Sequence, residues 1–173
     1  SSAASDVYKR QLYNMVEELL DFSRLQNGRI RMDCRPLDLV AELTDAVLFC
    51  EARIQREGLV LSYTEPEEMI PVYADPDRLR QVFINIIDNA IDAIGKNGSI
   101  AVRTEPWEDG ARIYFKDTGP GMDEETMQRI FDPFFTTKAV GEGTGLGLAI
   151  CFTILEKLGG RIEAVSYTHL RAH

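Results

Sequence analysis

The sequence predicts an α+β fold, a two-layer sandwich with helices packed on one face of a mixed β-sheet, and three observations carry that prediction. Helical and strand-like patterns alternate in the order helix, strands, helix, two strands, helix, loop, helix, strand. The most strongly patterned helix puts Leu79, Val82, Phe83, Ile86, Ile87, Ala90, Ile91 and Ile94 on one broad face, as a helix lying on a core requires. Two alternating runs, 100–104 and 112–115, flank Glu108-Asp109-Gly110 as the arms of a hairpin.

In chain order, Leu12, Met15, Leu19 and Phe22 recur at helical spacing as a narrow apolar seam that stops at Asn27-Gly28. Pro36 and Asp38 open a second helix, in which Leu39, Leu43, Val47, Cys50 and Ile54 share a face and Gly58 ends it. Residues 59–63 and 70–73 read as short strands on either side of an acidic stretch at 65–68. Asp75-Pro76 starts the long helix with an acidic cap and a proline preset for the first turn, and Gly95 with Asn97-Gly98 ends it. Trp107 sits beside the hairpin turn, where it packs on the surface. A short helix at 123–130, a glycine-rich stretch, a helix at 146–158 stopped by Gly159-Gly160 and a strand beginning at 161–164 complete the pattern.

Both ends look foreign to this plan. Codons that can encode residues 6–11 have a reverse complement that encodes residues 165–169, the relation expected of adaptors flanking a cloned insert. Residues 1–11 and 165–173 are therefore expected to be adaptor-derived, with native sequence over 12–164. Setting them aside removes Lys9, Arg10 and Arg171 from 19 basic residues and Asp6 from 28 acidic ones, so the remainder is more acidic than the formal −9 of the whole chain. A surface of that sign repels nucleic-acid phosphates and anionic lipid, so neither is an expected partner. Three cysteines, Cys34, Cys50 and Cys151, are widely spaced and odd in number, which gives no disulfide framework or zinc spacing and fits a reducing cytosol. No apolar run is long enough to span a bilayer.

Three segments depart from simple core patterning. Asn85 and Asn89 lie one helical turn apart, off the apolar stripe together with Asp88 and Asp92; amide oxygens there are hard ligands that suit Mg2+, although such a pair also fits a solvated face. Asp117-Thr118-Gly119-Pro120-Gly121 ends a strand with a carboxylate that can accept from an exocyclic amine such as that of adenine and with glycines that let backbone approach a flat ring; it is also good turn chemistry. Gly141-Glu142-Gly143-Thr144-Gly145-Leu146-Gly147-Leu148 exposes successive amides before a helix start, a natural phosphate cradle or else a hinge. Its spacing fits neither the P-loop nor the dinucleotide fingerprint. Between the last two, Phe131-Asp132-Pro133-Phe134-Phe135-Thr136-Thr137-Lys138 supplies aromatics to anchor a lid, or a hydrophobic plug, and a lysine within reach of phosphate oxygens.

Taken in this order, residues 81–90, 117–122, 130–135 and 143–148 resemble the four nucleotide-site boxes of sensor histidine kinases, in the GHKL or Bergerat-fold superfamily. The Phe-Phe-Thr-Thr-Lys wording and the Asn-Ala-Ile-Asp-Ala helix end look like the nitrogen-regulation and sporulation branch. Residues 18–25 are similar to the end of that family's second dimerisation helix. The resemblance divides the chain into a dimerisation-helix remnant at 12–27 and an ATP-binding catalytic domain at 28–164 that lacks its last strands. It implies that Asn89 coordinates Mg2+ on the ATP phosphates with Asn85 beside it, and that Asp117 reads the adenine amine in a pocket shaped by Gly119 and Gly121. Lys138, Gly143, Thr144, Gly145, Leu146 and Gly147 would then form the lid and its phosphate-facing end. It further implies a cytoplasmic kinase, part of a homodimeric parent of the kind that can be membrane-anchored, that passes the ATP γ-phosphoryl to a histidine and on to the receiver domain of a response regulator. The family often has a basic residue and an aromatic where this chain has Asp92-Ala93. Related ATPases carry a glutamate base where this chain has Asn85, and an amide cannot accept a proton at neutral pH, so hydrolysis is disfavoured. A GHKL-type ATPase clamp and an anti-sigma-type serine kinase or binding module are the alternatives. The only histidines, His169 and His173, fall in the adaptor-like tail, so no phosphoacceptor and no catalytic side chain is expected within the chain, and the fragment alone is expected to be inactive.

Overall fold

The computed structural model describes residues 1–138 and 143–166; Gly141, Glu142, His169 and His173 lie outside the described residues. The elements are α1 (Ser2–Gln26), β1 (Arg35–Asp38), α2 (Leu39–Arg56), β2 (Val60–Tyr63), β3 (Pro71–Ala74), α3 (Pro76–Ile94), β4 (Ser99–Trp107), β5 (Gly110–Asp117), α4 (Glu124–Arg129) and α5 (Gly147–Lys157). They form two compact units: Ser1–Arg31 with Glu124–Glu163, and Met32–Asp123 with the described residues from Ala164 on.

In the sheet-bearing unit, β4 is the central strand of a three-stranded mixed sheet, parallel to β2 and antiparallel to β5. Alternation along β4 buries Ile100 and Val102 and exposes Ala101 and Arg103, so one face of the sheet takes the helices and the other meets solvent. On the solvent face the Arg103 guanidinium lies 4.2 Å from the Tyr114 ring centroid, and near the turn Arg112 covers Trp107 at 3.4 Å. On the covered face Leu79, Val82, Phe83, Ile87, Ala90 and Ile91 of α3 are buried, and Phe83 meets Phe115 of β5 with ring centroids 6.3 Å apart. From α2, Leu39, Leu43, Cys50 and Ile54 are buried as their spacing predicts, joined by Val40 and Ala46. This is the α+β layering expected.

The strands differ from the sequence pattern in three places. β1 was not foreseen: a four-residue strand containing Pro36 has no alternation of its own and exists because it pairs antiparallel with β3, Arg35 opposite Ala74 and Asp38 opposite Pro71. That pair forms a second small sheet, so the strands are not all in one ladder. Residues 161–164 are not a strand, since no described segment offers them a ladder to join.

Two carboxylates tie helix starts to neighbouring backbone. Asp38 Oδ1 accepts from Val40 N and from Ile70 N, each at 3.0 Å, so one oxygen caps α2 and holds the approach to β3. Asp75, only 8% exposed, caps α3 by accepting from Asp77 N at 3.0 Å and Arg78 N at 3.3 Å through Oδ1, while Oδ2 takes Asp33 N at 3.0 Å. Replacing Asp75 by Ala orphans three donors at once. We expect Asp75→Ala to lower the unfolding free energy by about 2–4 kcal/mol in urea titration, a lost cap plus buried unsatisfied amides, and Asp75→Asn to lose less than about half of that.

The other unit is helical. Most of α1 is exposed, Leu12 and Leu19 of the proposed seam included; Met15 and Phe22 are half-buried and Leu25 is fully buried. Its C-terminal half packs on α5, where Gln26 Nε2 donates to Thr153 Oγ1 at 3.2 Å. From α5, Ala149, Ile150, Cys151 and Ile154 are buried, while Phe152 meets Phe131 with centroids 5.9 Å apart.

Candidate functional site

In the sheet-bearing unit, the end of β5 is folded back onto the end of α3. Asp117 Oδ1 accepts from Gly119 N at 2.8 Å, a tight local turn, and Thr118 clasps Ser99 twice: its amide donates to Ser99 O at 3.1 Å and its hydroxyl accepts from Ser99 N at 2.9 Å. A Cβ at Gly119 would stand 2.8 Å from Asp117 Oδ1 and 3.2 Å from the Ala93 carbonyl oxygen, so a side chain there would crowd the turn. Asp117 and Gly119 are thereby held against the last turn of α3, one turn beyond Asn89. Gly121 follows at φ +77°, and Met122 N donates to Ser166 Oγ at 2.8 Å. Ser166 belongs to the stretch read as adaptor and is buried.

Asn85 and Asn89 are both half-buried on α3. Asn85 also lines a shallow groove of about 310 Å³ with Phe49, Asp77, Arg80, Gln81 and Ile84. That groove opens on the α2 side of α3 and reaches neither Asn89 nor Asp117, so it is distinct from the α3–β5 junction. Also between α2 and α3, Arg53 pairs with Asp88 at 2.8 Å and with Asp92 at 2.6 Å, and Arg80 pairs with Glu42 at 2.9 Å and Asp45 at 3.6 Å. Burial lowers the Arg53 pKa, but the hydrogen bonds it donates to Asp92 and Asp88, with their charges, outweigh that and raise it. Burial, then the Asp88 charge, pushes the nearby Cys50 thiol up to about 11, so it is a neutral packing group at physiological pH.

In the helical unit the glycine-rich segment is shaped by the aromatic one. Phe134 N donates to Gly145 O at 3.0 Å. Gly145 stands at φ +71°, and a Cβ there would lie 2.5 Å from the Phe134 carbonyl carbon and 2.7 Å from the Phe135 oxygen. Phe134 is itself at φ +68° and meets Phe22 of α1 edge-on at 6.5 Å. Lys138 folds over Gly143, whose Cβ would touch its Cδ at 3.0 Å. The Thr144 hydroxyl donates to Glu18 Oε2 at 2.8 Å and accepts from Leu146 N at 3.2 Å. Leu146 is buried and offers no side-chain cap, so α5 begins at Gly147 without an acidic or hydroxyl group at its cap position.

The predicted residues thus fall into two sets. In the sheet-bearing unit Asp117, Gly119 and Gly121 lie at or just after the α3–β5 junction, Asn89 lies one turn before it on α3, and Asn85 lines the groove on the α2 side; in the helical unit Lys138, Gly143, Thr144, Gly145 and Leu146 precede α5 and Gly147 begins it. Two contacts were not foreseen, the Arg53 fork and the Glu18–Thr144 bond. Each joins residues far apart in sequence and leaves no local pattern.

Residues 74–171 match the family described as histidine kinase-, DNA gyrase B-, and HSP90-like ATPase. The chain is 36% identical over 157 residues to the sensor histidine kinase ZraS of Klebsiella oxytoca, covering 90% of this chain and 33% of that protein. Among solved structures it is similar to the Acinetobacter baumannii histidine kinase AdeS, with a TM-score of 0.71 at 30% identity over 90% of this chain and 72% of that one. It is also similar to the histidine kinase ThkA in its complex with the response regulator protein TrrA, with a TM-score of 0.70 at 30% identity over 90% of this chain and 43% of that one. The chain spans about a third of the length of ZraS. On the match over 74–171, a little more than half of its length, the chain belongs to the histidine kinase-, DNA gyrase B-, and HSP90-like ATPase family.

Proposed function

We propose that this chain is the ATP-binding catalytic part of a two-component sensor histidine kinase, with Mg-ATP held at the α3–β5 junction. The observation that carries the proposal is the packing of Gly119 on Ala93, which puts a carboxylate and a side-chain-free backbone beside the turn that bears Asn89. Asp117 spends Oδ1 on its own turn, which leaves Oδ2 to accept from the adenine amine. Asn89 makes no side-chain hydrogen bond among the described residues, and its amide oxygen is a hard donor suited to Mg2+. When bound, that ion would neutralise charge on the phosphates. Within the helical unit, Lys138 and the backbone of Gly143 and Gly145 form a second set of groups whose chemistry suits phosphate.

Asn85 is the position at which a hydrolase would need a base, and its amide cannot take a proton from water, so the γ-phosphoryl is kept for a protein acceptor. That acceptor is a histidine other than His169 and His173, and the product passes to a receiver domain, as the ThkA complex with its response regulator supports by analogy. Residues 12–27 serve as the end of a dimerisation helix in a homodimeric parent. No helix of the described residues is long and apolar enough to cross a membrane, and the catalytic part works on the cytoplasmic side, where ATP is.

Titration of this chain with ATP, with and without Mg2+, tests the proposal. Tight binding should require Mg2+, and Asn89→Ala should weaken Mg-ATP by about tenfold or more while leaving metal-free binding nearly unchanged. Mixing with a separately expressed dimerisation helix pair carrying the acceptor should give acid-labile phosphate on histidine. Phosphate on serine alone, or no ATP binding, would overturn it.

A further inference from the structure

The two carboxylates of Asp88 and Asp92 bracket Asn89, one immediately before it and the other three residues after it. The last turn of α3 holds no basic residue. A helix C-terminus already carries partial negative charge, so two carboxylates there oppose any polyphosphate brought to Asn89. The structure answers from another element. Arg53, on α2, sends Nη1 to Asp88 Oδ1 at 2.8 Å and Nη2 to Asp92 Oδ1 at 2.6 Å. One planar guanidinium therefore grips two carboxylates one turn apart on the helix face beside Asn89, a two-pronged geometry that a lysine ammonium cannot reproduce. The side chains are 32%, 41% and 31% exposed, so the pairs are partly shielded from water and salt.

We infer that Arg53 is a positioning residue for phosphate recognition: it fixes the Asn89 turn and neutralises Asp88 and Asp92, so that the phosphates of Mg-ATP meet an uncharged amide rather than two carboxylates. The inference rests on the nucleotide site proposed above. Its effect falls on the phosphate end of the ligand and spares the base.

Binding of Mg-ATP and of adenosine to the chain and its variants separates these possibilities. Arg53→Ala should weaken Mg-ATP by about tenfold and adenosine by less than about twofold. Arg53→Lys, which keeps the charge and loses the fork, should fall between. The triple variant Arg53→Ala/Asp88→Asn/Asp92→Asn should return Mg-ATP affinity to within about threefold of the parent, and Asp92→Asn alone should tighten it by a few-fold. Equal weakening of ATP and adenosine would assign Arg53 a merely structural role and overturn the inference. So would a triple variant no better than Arg53→Ala. Should Arg53→Ala fail to fold, Asp92→Asn decides: unchanged or weaker ATP binding overturns it. A parent chain that binds neither ligand defeats the nucleotide site itself, whereas a parent that binds ATP with variants that all match it defeats the role of Arg53 alone.

Discussion

Gly145→Val should be the most damaging single change outside the core. The left-handed backbone at φ +71° costs a β-branched residue about 1–3 kcal/mol before any contact is considered. The new Cβ would also sit 2.5 Å from the Phe134 carbonyl carbon and 2.7 Å from two carbonyl oxygens, all backbone atoms with no rotamer to change. Relief requires breaking the Phe134 N to Gly145 O bond and parting the segment that leads into α5 from the aromatic segment before it. The expected result is a loss of about 3 kcal/mol or more, seen as a lowered thermal midpoint and rapid proteolysis between Phe134 and Leu146. Gly145→Ala should lose less but still measurably, and Gly143→Ala, which meets only the movable Lys138 chain, should be nearly neutral in stability. Resistance of Gly145→Val to proteolysis would show that this backbone can relax without cost.

Asp117→Ala should have the largest effect on ligand binding. A hydrogen bond from an adenine amine to a carboxylate contributes about 1.5–3 kcal/mol, so Mg-ATP affinity should fall by about ten- to a hundredfold. The same change with inosine triphosphate, which has a carbonyl in place of the amine, should cost almost nothing. That contrast isolates base recognition from the loosening of the turn when Gly119 N loses its acceptor, since loosening would weaken both nucleotides alike. A comparable loss with both would assign Asp117 to the turn alone.

The sequence made the helices legible because their signals are local. Asp75-Pro76 and Asp38 announced starts that the structure caps with those same side chains, and the apolar spacing of α3 named its buried face. The turn chemistry of residues 117–121 was equally readable, and Gly119 proved to be a place where the backbone passes close to the Ala93 carbonyl. What was not legible depends on partners elsewhere. β1 needs β3, residues 161–164 lack a ladder, and Arg53 finds Asp88 and Asp92 from a different helix. A strand or an ion pair is a relation between two segments, and a period within one segment cannot encode it.

The parallel pairing of β2 with β4 has a kinetic corollary. Parallel neighbours cannot be joined by a tight turn, and the chain between them contains β3 and the whole of α3. The hairpin of β4 and β5 can close early because its residues are adjacent, but the β2–β4 ladder must wait until a long loop has been gathered in. Asn89 rides on that loop. A ligand that prefers the assembled junction therefore stabilises the folded chain and should raise its refolding yield when present from the start.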